Sequence, residues 1–440
     1  MVVVQNVWWL LVLIGVMILV HELGHYWAAR FFDVHVETFS FGFGPRLFGF
    51  RKGETEFRFS AIFFLGGYVK MAGEQPGEDA TKDPRSFVNK PRWQRLGIAF
   101  AGPAMNIVLA VALLTGLFMV KYPRPMESDL SATVGHVLPD SAAAKAGVKS
   151  GDKIVQIGSV ANPTWQDVLV AEASNANRPL PVVVQRNGKR MAFTVTPVLI
   201  ERAGIGFAGW AEQADIQVGD LSPGLPAEKA GLRRGDLLLS VNGEPIRSQY
   251  KLREVVQACK GQPVEIDYIR DGVRSKAIIQ PIKSDIDGPE RWMIGVGPEQ
   301  RIEFTALPFT EALAESTRQN ARGATLIYQF LRGIIERRLS AKSIDGPIRI
   351  AQLSGEAARQ GAYSFIMLMA AVSLNLAVVN LLPIPILDGG VIVMLLVEMI
   401  MRRDLSLSVK EAVLKLGFVF LMGIMVFVLY NDIVKVLPPG

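Results

Sequence analysis

VWWLLVLIGVMILVHELGHYWAA, residues 7–29, is apolar from Val7 to Val20 and then reads His21-Glu22-Leu23-Gly24-His25. A bilayer core of about 30 Å needs roughly 20 residues of helix, so this run is long enough to cross one. No Lys or Arg precedes it and no small-residue cleavage site ends it, so it does not read as a secretory leader. Ionisable groups at membrane depth are costly unless they are paired or liganded. On a helix, positions i and i+4 lie one turn apart on one face, so both imidazoles can reach a single metal ion. His-Glu-x-x-His is the helical zinc pattern in which the Glu serves as general base. The bland alternative is a polar cap that marks the membrane interface.

Three further apolar stretches follow, at about Leu96–Val120, within Tyr363–Met401, and at about Val413–Val434. As a straight helix the third would reach roughly 58 Å, about twice the hydrocarbon thickness. Pro383 and Pro385 interrupt it, which predicts a spanning helix to about Leu382, a broken segment Pro383–Gly390, and a helix from Val391. Broken backbone at membrane depth survives only where protein or water satisfies it, which points to a cavity. Composition agrees with a membrane protein: 440 residues, half of them hydrophobic and 20% charged, with a mean hydropathy of +0.28. The net charge of +6 is too small and too scattered for a nucleic-acid partner. The single Cys259 excludes an internal disulfide framework and a cysteine-based metal cluster.

Basic residues cluster after the first span (Arg30, Arg46, Arg51, Lys52, Arg58), before the second (Lys90, Arg92, Arg95) and between the third and fourth (Arg402, Arg403, Lys410). The bias places those loops in the cytoplasm, and both termini and the region 121–360 outside.

That external region repeats itself at a period of 84: Val134-Gly135 with Val218-Gly219, Pro139 with Pro223, Ala146-Gly147 with Ala230-Gly231, Gly151-Asp152 with Gly235-Asp236, and Arg186-Asn187-Gly188 with Arg270-Asp271-Gly272. Each copy has short β-branched strands and one helix-sized polar stretch. The stretch from Pro226 to Gly243 resembles the helix-turn-strand core of PDZ domains. Ile205-Gly206-Phe207 and Ile294-Gly295-Val296 resemble the PDZ ligand loop but stand at the end of each copy, which implies the circularly permuted form. The first copy departs from the pattern, with Gly158-Ser159 where the second has Asn242-Gly243. Such domains bind an extended chain at a sheet edge.

A catalytic zinc takes three protein ligands and keeps one open position. His35 lies in the loop after the first span and His136 in the external region, so neither is well placed. Asp388 is the sole carboxylate between Glu356 and Glu398, on the broken third span and towards the same end as His21 and His25. Asp388 also suits an N-cap of the following helix. Asn375 and Asn380 are polar at membrane depth; they fit substrate or oxyanion contacts, or bonds between helices. Asn106, after Gly102-Pro103, reads as helix packing.

His21–His25, Gly66-Gly67-Tyr68-Val69-Lys70-Met71, Gly102-Pro103-Ala104-Met105-Asn106 and Asn380–Gly390 together resemble the site-2 proteases, M50-type intramembrane zinc metalloproteases. Four spans with two permuted PDZ copies between the second and third narrow the resemblance to the bacterial RseP type. The resemblance implies an α-helical membrane protein with four transmembrane segments, a membrane-associated β-hairpin and two external circularly permuted PDZ domains. It implies a zinc endopeptidase of the bacterial inner membrane, acting in regulated intramembrane proteolysis. Its substrates would be single-span membrane proteins, notably anti-sigma factors already cut outside the membrane by a site-1-type protease. It implies Zn2+ on His21, His25 and Asp388, Glu22 as general base, and substrate or active-site support from Asn375, Asn380, Pro383 and Pro385.

Nine of the 23 phenylalanines fall between Phe39 and Phe64, and Phe39, Phe41 and Phe43 alternate, as do Phe57 and Phe59. With Arg51-Lys52-Gly53-Glu54 as the turn, this is an aromatic hairpin that should dip into the membrane interface. It either anchors or holds substrate extended. Glu311–Arg338 is amphipathic and suits the outer membrane face. The expected organisation is a first span at 1–30, a cytoplasmic-side loop with the hairpin at 31–95, and a second span at 96–120. PDZ copies follow at 126–210 and 211–300, then linker helices at 301–360, the broken third segment at 361–401 and the fourth span at 411–434. A membrane-tethered PDZ scaffold would leave the buried ionisable groups unexplained. A metal-ion transporter would leave the repeats and the hairpin without a role.

Overall fold

The computed structural model describes residues 2–74, 83–123, 131–200, 205–285, 290–336, 339 and 344–436. The expected start of the first repeat, residue 126, and the end of the amphipathic stretch, 337–338, lie outside them. The chain forms two compact units: residues 1–122, 306–331 and 344–440, and residues 123–305 with 332–343.

The first unit is helical. α1 (Val2–Phe31) and α2 (Arg92–Val120) flank a hairpin of β1 (Val36–Lys52) and β2 (Thr55–Met71). Then come α3 (Phe309–Ile335), α4 (Pro347–Gln360), α5 (Ala362–Asn380), α6 (Asp388–Met401) and α7 (Leu407–Val436). α1, α2, α5 and α7 are long and apolar enough to cross a membrane, as the apolar runs predict. The third stretch is broken where its prolines stand, but α6 begins at Asp388, three residues before the expected Val391. In the break Ile386 has φ +85, a left-handed conformation that a β-branched residue rarely adopts.

The hairpin turns at Gly53-Glu54, inside the expected turn. Thr38–Phe41 are paired on both sides: Thr38 faces Lys70 and Glu56, and Phe41 faces Gly67 and Phe59. The two long strands therefore bend into short segments wrapped round Thr38–Phe41. Stacked cross-strand rings, Phe48 on Phe59 and Phe50 on Phe57, stiffen the outer part.

α3 gathers small and polar residues on one face. Ala312 is buried with Leu114, Leu117 and Phe118 of α2, and Ser316 Oγ meets Thr115 Oγ1 at 2.7 Å. The amphipathic pattern thus marks a face packed on α2. α4 starts with its N–H groups uncapped by its own side chains. Instead the buried Asp432 of α7 accepts from the N–H groups of Gly346 (2.8 Å) and Ile348 (2.9 Å). An acidic group at a helix N-terminus satisfies orphan donors and complements the helix dipole.

The second unit holds two similar modules. In the first, Lys153–Ile157, Leu180–Arg186 and Lys189–Val195 form an antiparallel sheet, and Trp210–Glu212 pairs with Val134–Val137. The first module thus runs two residues past the expected boundary at 210. In the second, Val273–Ile279, Val264–Arg270, Leu237–Val241, Ile216–Leu221 and Val296–Gln300 lie side by side. The repeat is physical. Arg186 Nε donates to the buried Asp152 at 2.6 Å, and Arg270 Nε to the buried Asp236 at 2.7 Å. Each guanidinium also donates to a glycine carbonyl, of Gly147 and of Gly231. The matched Gly-Asp and Arg positions in the sequence are this clamp, repeated.

The ligand-loop expectation needs one correction. Ala143 N–H donates to Ala208 O and Ala227 N–H to Ile294 O; Leu138 N–H donates to Gly209 O and Ser222 N–H to Gly295 O. Gly209 and Gly295 share φ near +84 and +82. The counterpart of Ile294-Gly295-Val296 is therefore Ala208-Gly209-Trp210. Ile205-Gly206-Phe207 is a strand paired with Val198–Ile200. The connection before the loop is two residues longer in the second copy, so a fixed period of 84 misses the match.

Candidate metal centre

α1 and α2 approach closely because Gly24 faces the backbone of Ala101; a Cβ there would collide with its carbonyl oxygen. That contact brings the His-Glu-x-x-His turn against Gly102. α6 closes the third side, and Asp388 is its first residue. Leu387, not Asp388, is the N-cap, and no side chain caps this helix. The capping alternative for Asp388 is thus not what this structure contains.

The carboxylate faces both imidazoles. Asp388 Oδ2 lies 3.1 Å from His21 Nε2 and Asp388 Oδ1 lies 3.3 Å from His25 Nε2. The two Nε2 atoms are 3.3 Å apart. The three groups form a set whose ligand atoms all lie within 4.8 Å of one another. Ligands on a tetrahedral zinc at about 2.0–2.1 Å sit roughly 3.3 Å from each other, so this spacing is that of three corners of such a site. Two imidazole nitrogens and one carboxylate are also a donor set typical of zinc that keeps a fourth position open. The residues fit the ion.

The outer contacts bear on the same point. His25 Nδ1–H donates to Ile98 O at 2.8 Å, which leaves Nε2 with its lone pair facing the site. The buried Asn106 amide nitrogen lies 3.3 Å from His21 Nδ1, while its Oδ1 has no partner among the described residues. A Cβ added at Gly102 would collide with His25 Nε2 and come within 2.9 Å of His21 Cε1. Gly102 therefore makes the room in which the imidazoles stand. Gly389 and Gly390 play a similar part for Asp388: added Cβ atoms would strike the carbonyls of Leu382 and Ile384. The far end of α6 is held by Glu398, which accepts from Lys410 Nζ (2.7 Å) and Leu405 N–H (3.0 Å).

The hairpin reaches the site through Gly67. Its missing Cβ would stand 3.0 Å from Glu22 Cγ and 2.8 Å from Ser40 O. Glu22, His21, His25 and Asp388 are thus brought together. Asn375 and Asn380 lie on α5 and make no side-chain hydrogen bond among the described residues. Asn375 is exposed and Asn380 half-buried. Pro383 is exposed in the break, and Pro385 packs against Gly417 of α7. Sequence reasoning missed the position of Gly102 and Asn106. The signal was present in Gly102-Pro103-Ala-Met-Asn106, but a glycine's close approach is visible only once its neighbour is known.

Residues 9–424 match Peptidase family M50. A Xylella fastidiosa protein named as a zinc metalloprotease is 33% identical over 97% of this chain and 98% of its own length. The Salmonella typhimurium regulator of sigma-E protease RseP is 29% identical over 96% of this chain and 97% of its own. Among solved structures, a PDZ domain of an SdrC-like protein from Listeria monocytogenes is 22% identical, covering 19% of this chain and 87% of that one, with a TM-score of 0.17. A match of this extent, over a chain whose two histidines and aspartate meet as they do here, makes this protein a metalloprotease that belongs to peptidase family M50.

Proposed function

We propose that this protein is a zinc endopeptidase that cuts its substrates within the membrane, with His21, His25 and Asp388 as ligands and Glu22 as general base. The observation that carries the reading is the donor spacing of 3.1–3.3 Å between Asp388, at the start of α6, and the two histidines of α1, a helix long enough to span a bilayer. A zinc ion bound there supplies Lewis-acid polarisation of the scissile carbonyl and lowers the pKa of water. Glu22 takes the proton of the attacking water on its carboxylate and passes it to the leaving amine nitrogen. Exposed Asn375 and the half-buried Asn380 offer amide donors and acceptors to substrate backbone, and Pro383 and Pro385 hold the break between α5 and α6 open.

A helical substrate keeps its peptide bonds shielded, so it must be drawn out before attack. Gly67, Tyr68 and Val69 of β2 are paired on one side among the described residues, and Gly67 lies next to Glu22. That edge suits addition of an extended substrate strand. The clustered basic residues support a cytoplasmic position for this end of the bundle, with the termini and the modules on the periplasmic side, and the Salmonella relative supports a bacterial inner membrane. The name of the Salmonella relative, a regulator of sigma-E protease, supports a substrate that belongs to sigma-factor control; we read that substrate as an anti-sigma factor, a single-span protein first trimmed outside by a site-1-type protease.

The two modules read as tandem circularly permuted PDZ domains. The modules are inserted between the second and third spans, in the region that the basic residues leave outside. Modules outside the membrane act on the external part of a substrate, not on its scissile bond. Excluded volume alone would bar a bulky ectodomain and pass a trimmed one. Replacing 134–297 by a flexible linker is expected to permit cleavage of substrates with intact ectodomains, followed by co-expression and immunoblotting. A variant that keeps zinc, cleaves trimmed substrates and still rejects intact ones would refute the filter.

Asn106 completes the reading. For Nε2 of His21 to face zinc, Nδ1 carries the proton and needs an acceptor. Turning the Asn106 amide about its last torsion sets the unpartnered Oδ1 in that position. Asn106→Leu should weaken zinc binding by about 10–100-fold, the usual cost of losing such a contact. A carboxylate at this position restores an acceptor, so Asn106→Asp should bind more tightly than Asn106→Leu in chelator competition. Equal loss in both would mean that Asn106 only packs.

A further inference from the structure

The two modules differ in the helix residue that faces the glycine loop. Helix Trp165–Ser174 of the first matches helix Gln249–Ala258 of the second at the period of 84, which sets Glu172 against Val256. In the second module Val256 lines a groove of about 430 Å³ together with Leu221, Ile294 and Val296. In the first, Glu172 is 5% exposed, and its Oε2 accepts from Ala208 N–H at 3.2 Å. The Trp210 indole N–H stands beside the same carboxylate. Ala208 and Trp210 belong to the loop that corresponds to Ile294-Gly295-Val296. Among the described residues, the matching N–H of Ile294 has no carboxylate partner.

We propose that Glu172 is a built-in ligand of the first module: its carboxylate occupies the seat that a peptide's terminal carboxylate would take, and closes that groove to chain ends. The proposal rests on the reading of these modules as PDZ domains. Backbone N–H groups in a tight glycine loop are a general device for capturing a terminal carboxylate; Gly209 supplies a positive φ in this one, and Ala208 N–H donates to the carboxylate. A side chain that brings its own carboxylate needs no ordering entropy at binding, so a free peptide competes at a disadvantage. Burial pushes the Glu172 carboxyl up to about 7, the cost of keeping an acid in this position rather than a valine. An open groove in its place would take a chain that ends in a small apolar residue with a free carboxylate. The two copies would then be unequal, with only the second able to receive a chain end.

The test uses the full-length protein in detergent and a peptide whose last residue is photo-leucine, either as the free acid or as the amide. Adducts are mapped by mass spectrometry. Wild type should carry no adduct on residues 165–174 or 208–212. Glu172→Val, which installs the residue of the second module, should gain at least tenfold labelling there, lost with the amide. Glu172→Gln keeps an acceptor and the bulk, and should stay closed. Equal labelling of wild type and Glu172→Val would overturn the proposal. So would a folded Glu172→Val that labels only the second module, an outcome that leaves the PDZ reading intact. If no variant labels either module, both the built-in ligand and the chain-end reading fall. Should Glu172→Val misfold, Val256→Glu asks the same question in reverse. It should remove at least nine-tenths of the second module's carboxylate-dependent labelling, and unchanged labelling would overturn the proposal.

Discussion

Glu22→Gln is expected to keep zinc and to lose cleavage by roughly 10²–10⁴-fold, the usual contribution of a positioned general base. Gln is nearly isosteric, so the approach of Gly67 to Glu22 Cγ survives. What is lost is the capacity to take and return a proton. The contrast is Asp388→Asn. An amide is a weaker ligand than a carboxylate for a dication, so this variant should lose zinc at low free metal as well as activity. Zinc content by mass spectrometry, with cleavage of a co-expressed single-span substrate, separates the two roles. Turnover by Glu22→Gln above about a hundredth of wild type would remove Glu22 from proton transfer. Unchanged zinc occupancy in Asp388→Asn would remove Asp388 from the ligand set.

Much of this was legible because the relevant physics is local. Apolar runs of bilayer length and a four-residue histidine spacing are read along the chain without knowing what packs where. The prolines at 383 and 385 announced the break for the same reason. The clamp between Asp152 and Arg186, repeated as Asp236 and Arg270, lay behind the matches at a period of 84. The ligand loop was misread because Ile205-Gly206-Phe207 looks like Ile294-Gly295-Val296, although the two stand 89 residues apart and not 84. Ala208-Gly209-Trp210 is the first module's loop, and only its bonds to Leu138 and Ala143 reveal it. Glu172 looked like any charged residue on a polar helix, because its burial depends on a loop more than thirty residues away. Non-local burial and close approach are the features that spacing along a sequence does not encode.

Gly102 is such a feature, and it carries the second large expected effect. Gly102→Ala adds one methyl group to α2, a change that helix propensity favours by about 1 kcal/mol. The methyl would occupy the space of His25 Nε2 and crowd His21 Cε1. His25 has little freedom to yield, since its Nδ1–H is tied to Ile98 O, one turn before Gly102 on α2. α2 cannot back away cheaply either, because Gly24 holds it against α1. One ring must therefore turn out of the triad and break the spacing that suits the ion. Catalytic groups displaced by about 1 Å commonly lose 10²-fold in rate, and here the displaced atom is a ligand. Gly102→Ala should thus bind zinc at least about 10²-fold more weakly than wild type and cleave correspondingly less. Its helical signal should match wild type, which shows that the variant folds. Zinc affinity by chelator competition decides the matter: wild-type affinity in a folded Gly102→Ala would mean that the imidazoles stand elsewhere when the ion is bound.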